Sequence, residues 1–161
     1  MKRMVFYSLL LLAAVMVPTE TVELGALLPV QVVYLYEEAD RVTIETDTEN
    51  RGTGASVEKA IADLTESASG KMFLDTAEYL IVTEDTEHLI NEVGAYLKGK
   101  TRLCIGTGKL DLGDAASYLN AHRPKTQLKT WNREQKLQML EQKNGRFRLK
   151  EKIDQIMIKS A

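Results

Sequence analysis

The stretch Gly52–Asp85, GTGASVEKAIADLTESASGKMFLDTAEYLIVTED, decides the fold. Ser56 stands where a helix N-cap is wanted, and Glu58 puts a negative charge in the first turn, where the helix dipole favours it. Val57, Ala60, Ile61, Leu64 and Ala68 then recur at helical spacing, so one face of the helix is apolar and Gly70 stops it. Met72–Leu74 and Tyr79–Val82 follow as extended apolar segments. The second of these, YLIV, is apolar on both faces, as a strand inside a parallel sheet is.

Upstream of this unit, Val30–Tyr36 reads as an interior strand and Glu37–Asp40 as a turn. Arg41–Asp47 alternates, with Val42, Ile44 and Thr46 facing in and Thr43 and Glu45 facing out, which makes a hairpin. Thr48–Gly54 reads as loop. Downstream, Asp85 or Thr86 caps a second helix that turns Leu89, Ile90, Val93 and Leu97 inward and ends near Gly99. Leu103-Cys104-Ile105 centres the next strand. A third helix starts after Asp111, carries Leu112, Ala115, Ala116 and Leu119 on one face, and ends before Pro124. Asn144-Gly145 marks a last hairpin, in which Phe147 and Leu149 alternate with Arg146, Arg148 and Lys150. The order is β-β-α-β-α-β-α-β-β. The fold class is therefore α/β, a mixed sheet with helices packed on it, and 161 residues suit a single domain.

The N-terminus adds a compartment. Lys2 and Arg3 precede the uncharged apolar run Val5–Val17, which Pro18 and Glu20 end. That is the pattern of a secretory leader, and the run is shorter than the ~20 residues of a comfortable membrane span. Residues 1–19 read as a signal peptide or N-terminal membrane anchor, residues 20–152 as the α/β domain and residues 153–161 as a tail. The expected location is outside the cell or anchored on its membrane. Residues 20–120 carry a net charge of −11 and residues 121–161 one of +7. The basic part suits either the acidic body itself or an anionic membrane surface.

Motifs that carry chemistry are incomplete. Gly52-Thr53-Gly54 precedes a helix, but Val57 stands where a dinucleotide fingerprint needs its third glycine, and no Walker lysine follows. Ser56 and Lys59 have the spacing of the serine–lysine pair in penicillin-binding enzymes, without its partner motifs. Phe73–Ala77 resembles the D-T-G turn of aspartic peptidases, with Ala77 in place of glycine. His88 and His122 lack any zinc spacing, and Cys104, the single cysteine, sits mid-strand as a buried thiol. No cofactor is expected. Export argues against a nucleic-acid partner for Arg146, Arg148 and Lys150, leaving them as a candidate surface contact.

Gly54-Ala55-Ser56-Val57-Glu58-Lys59-Ala60 resembles the G-x-T-[ILV]-x-E-A helix entry of the Ger(x)C family, the C subunits of spore germination receptors. Tyr79–Val82, Leu89–Leu97, Leu103–Ile105 and Asp114–Leu119 are similar to the elements that follow in that family's N-terminal domain. The likeness covers about residues 23–122, and the family's lipid-bearing cysteine has no counterpart in it. It implies an exported, non-catalytic interaction domain at the cell surface with a membrane protein as partner. Two other readings stand beside it. One is a small secreted hydrolase with an acidic site around Asp75, Glu84 and Asp85; the other is a peripheral membrane-surface protein that uses the basic C-terminus.

Overall fold

The computed structural model describes residues 27–151. The expected leader Val5–Val17 and the apolar end Ile153–Ile158 lie outside the described residues. In chain order the strands and helices are β1 (Leu27–Pro29), β2 (Val32–Glu38), β3 (Arg41–Thr46), β4 (Arg51–Gly54), α1 (Val57–Ser67), β5 (Lys71–Phe73), β6 (Tyr79–Val82), α2 (Ile90–Gly94), β7 (Arg102–Thr107), α3 (Leu112–Ala121), β8 (Gln138–Lys143) and β9 (Arg146–Glu151). Seven strands form one mixed sheet in the order β4-β3-β2-β6-β7-β8-β9, and β1 pairs with β5 in a separate two-stranded parallel ribbon. The centre, β2-β6-β7-β8, is parallel, and the antiparallel pairs lie at the two sides. The α/β class with hairpins flanking a parallel centre is as the sequence implies.

Side chains alternate across this sheet, so it has two cores. On one face Val33, Leu35, Leu80, Val82, Leu103 and Ile105 meet Val57, Ala60, Ile61 and Leu64 of α1 and Ile90 and Val93 of α2. On the other face Val32, Tyr34, Tyr79, Ile81, Cys104 and Leu140 meet Leu112, Ala115, Ala116 and Leu119 of α3. A strand wanted by both cores has no polar side, which is why YLIV is buried at all four positions. The caps fall where expected. The Ser56 hydroxyl accepts from the Lys59 N–H at 3.3 Å, and the Asp111 carboxylate accepts from the Asp114 N–H at 3.0 Å.

Four local expectations need correction. The second half of the expected loop Thr48–Gly54 is strand β4, paired with β3 and lying under α1. Gly52 and Gly54 face that helix: a Cβ at Gly52 would lie 2.3 Å from the Ala60 carbonyl oxygen, and one at Gly54 would lie 2.5 Å from the Ala60 nitrogen. They bring backbone against backbone, and neither adopts a positive φ. Strand β2 starts and ends two residues later than expected, because the turn is only Ala39-Asp40, with φ of 50° and 58°. Thr43 is buried, not outward in solvent, because the face it shares with Tyr34 and Tyr36 is also covered. The second helix shrinks to a 3-10 turn, Glu87–Leu89, followed by the five residues of α2. Thr86 does not cap it: its hydroxyl donates to the Leu35 carbonyl at 3.0 Å and so ties the loop after β6 to β2.

Candidate functional site

Strand β9 carries the predicted contact residues. Asn144 and Gly145 have φ of 53° and 71°, a two-residue turn that fixes the register as Lys143 opposite Arg146, Glu141 opposite Arg148 and Met139 opposite Lys150. Arg146, Arg148 and Lys150 therefore share one face, exposed. Phe147 and Leu149 point to the other face and are half-buried against α3, where the Tyr118 and Phe147 rings lie 5.7 Å apart. With Lys143 and Glu141 the three cations line a shallow depression of about 520 Å³. Lys150 pairs with Glu141 at 2.6 Å. Four cations against one carboxylate leave this edge of the sheet positive.

A second concave region went unread in the sequence. The connection after β6 leads to α2 on one face and that after β7 leads to α3 on the other, so the two loops diverge at the carboxyl ends of adjacent parallel strands. A crevice of about 350 Å³ opens there, between Tyr34, Tyr36, Glu45 and Arg51 on one wall and Thr83, Gly108 and Lys109 on the other. It shares Glu45, Arg51 and Lys109 with a wider hollow of about 830 Å³ that reaches Asp111 and Gln142. The polar groups of the wall are committed to one another. The Tyr36 hydroxyl donates to Glu45 Oε1 at 2.6 Å, Arg51 pairs with both Glu38 and Glu45, and the Tyr34 hydroxyl donates to the Gly108 carbonyl at 2.8 Å. Burial, and then the bond to Glu45, raises the Tyr36 phenol well above its ordinary range; burial pushes that of Tyr34 up to about 12. Both phenols stay protonated at neutral pH and serve as donors. Tyr34, Tyr36, Glu45 and Arg51 come from three consecutive strands, whereas Thr83 and Gly108-Lys109 follow β6 and β7, and no spacing rule joins the two groups.

The acidic residues do not assemble. Asp75 sits in the turn before β6 and pairs with Lys98 at 3.5 Å, whereas Glu84 and Asp85 follow β6. Four strand residues, about 13 Å, separate the two ends. The turn around Asp75 has a structural task, since the Thr76 hydroxyl accepts from the Val30 N–H at 3.1 Å and donates to the Phe73 carbonyl at 2.7 Å. His122 stacks on Tyr118 with ring centroids 4.4 Å apart, and His88 lies against the Asp85 carbonyl at 2.8 Å. Burial alone pushes the Cys104 thiol up to about 12, as suits a core thiol. Among the described residues no cluster of His, Cys, Asp and Glu is arranged to hold a metal ion, and no helix is long and apolar enough to cross a membrane. No protein-family model, curated protein or solved structure matches the chain.

Proposed function

We propose that this chain is an exported, non-catalytic interaction domain working at the cell surface, similar to the N-terminal domain of germinant-receptor C subunits. Its contact face is the outer side of the last hairpin, with Arg146, Arg148 and Lys150 meeting a membrane-protein partner. The observation that carries the reading is the gathering of these cations with Lys143 on one exposed face at a sheet edge. Solvated cations spread around a surface do little, but a one-sign ladder on a rigid strand steers and orients an oppositely charged partner. The likeness to the receptor subunits draws support from the order of the elements. A hairpin leads into a Ser56-capped helix, the doubly buried strand β6, a short helix, β7 and the small-residue helix α3.

The test is a crosslinking pull-down from native membranes with the full chain. Specific recovery of a polytopic membrane protein, lost when Arg146→Glu, Arg148→Glu and Lys150→Glu are combined, supports the proposal. Accumulation of mature soluble protein with no partner overturns it.

A further inference from the structure

The two edges of the seven-stranded sheet are finished differently. An edge strand turns every second residue's N–H and C=O toward solvent, where another strand can pair with them. On β4 most of these groups are taken. The Thr53 N–H donates to Asp63 Oδ2 at 2.7 Å, the Thr53 carbonyl accepts from Arg41 at 3.4 Å, and the Arg51 carbonyl accepts from the Ser67 hydroxyl at 3.3 Å. Asp63 and Ser67 of α1, with Arg41 of β3, thus close that edge.

On β9 the two-residue turn makes Lys143 and Arg146 a hydrogen-bonded pair, and by alternation Arg148 and Lys150 also bond inward to β8. Phe147, Leu149 and Glu151 then point their backbone groups outward. Among the described residues only one of those groups has a side-chain partner: the Leu149 N–H donates to the Tyr118 hydroxyl at 3.0 Å. The edge is six residues long, with cations on one face and half-buried Phe147 and Leu149 on the other.

Resting on the reading of this face as a contact surface, we infer that β9 is a docking edge for an extended acidic segment of the partner. That segment adds to the sheet as an eighth strand. Acidic side chains on alternate residues meet Arg146, Arg148 and Lys150, and apolar ones between them continue the row of Phe147 and Leu149. The same ladder excludes a second copy of this chain, because antiparallel pairing of two β9 strands places like charges opposite one another. Tyr118 holds the Leu149 N–H until the incoming strand replaces its hydroxyl.

The experiment measures binding of a labelled peptide alternating glutamate and valine to the full chain, with amide hydrogen exchange read at Phe147 and Leu149. Expected results are saturable binding with slowed exchange at Phe147, and at Leu149 in the Tyr118→Phe variant, and a loss of roughly tenfold or more in affinity for the double variant Arg146→Glu/Arg148→Glu. Tyr118→Phe frees the Leu149 N–H and should tighten binding by about threefold while leaving the fold intact. A peptide with proline at alternate valines keeps its charge but lacks the N–H groups that a strand donates. Equal binding of that peptide, or unchanged exchange at Phe147, would overturn strand addition and leave a contact through charge alone. Pairing of two copies through β9 would overturn the acidic partner. Each of these failures leaves the membrane pull-down untouched, so the edge proposal and the surface reading fail separately.

Discussion

Replacing Gly52 by alanine tests the architecture at its tightest point. The added methyl would sit 2.3 Å from the Ala60 carbonyl oxygen, 2.4 Å from the Leu64 nitrogen and 2.5 Å from Leu64 Cβ. Ordinary contacts lie near 3.5 Å, so α1 and β4 must part by about 1 Å, and no flexible side-chain end is there to give way. A gap of that size forfeits about a quarter of the contact energy of Val57, Ile61 and Leu64, each worth roughly 2 kcal/mol when buried. That loss is ~1.5 kcal/mol, and local overpacking adds ~1–3 kcal/mol. The lower chain entropy of alanine in the unfolded state returns ~0.5–1 kcal/mol. The net is a destabilisation of roughly 1.5–4 kcal/mol, or a fall in Tm of roughly 3–16 °C for a chain of this size. Urea and thermal unfolding followed by circular dichroism measure it. A Gly52→Ala protein within ~0.5 kcal/mol of the original would refute the close approach and reopen a ligand-binding reason for Gly52-Thr53-Gly54.

The same substitution at Gly113 should have the opposite sign. That residue lies in α3, and an added methyl finds nothing nearer than Asp111 Oδ1 at 3.6 Å, so alanine should stabilise by ~0.5–1 kcal/mol in the same assay. Thr86→Val keeps the shape but removes the hydroxyl that donates to Leu35 and accepts from the Thr83 N–H; a loss of ~1–2 kcal/mol is expected, and a neutral result would show those groups satisfied otherwise. Stability should fall as pH rises from about 9 toward 12. In that window the exposed thiol of the unfolded chain ionises while Cys104 in the core keeps its proton, so the folded state binds more protons, and Tyr34 adds to the slope in the upper part. Cys104→Ala should flatten the lower part of the curve of urea midpoint against pH; an unchanged slope would refute the assignment.

What could be read from the chain was local. Ser56 and Asp111 are caps whose partners lie three residues away, Asn144-Gly145 is a turn within its own four residues, and the helix periods of α1 and α3 repeat within a dozen. Strand β4 was not legible, because the two glycines of Arg-Gly-Thr-Gly weaken its strand propensity. It is extended since α1 needs a backbone without side chains beneath it, a reason that only the packed structure contains. The turn before β3 was legible in place but not in length: Glu37–Asp40 shortens to Ala39-Asp40, since the hairpin imposes a positive φ on Ala39, a residue that does not favour it.

The same distinction separates the two surface regions. Arg146, Arg148 and Lys150 could be named from alternation along one strand, because a strand places every second side chain on one face. What makes that strand an edge, and an open one, depends on contacts 31 residues apart for Tyr118 and Leu149, and on the closure of the opposite edge by Asp63. Charge alone would leave the ladder a solvated face. Charge on an edge whose outward backbone groups are engaged by a single tyrosine hydroxyl among the described residues has a direction, a register and a length, and those three properties are what an incoming strand reads.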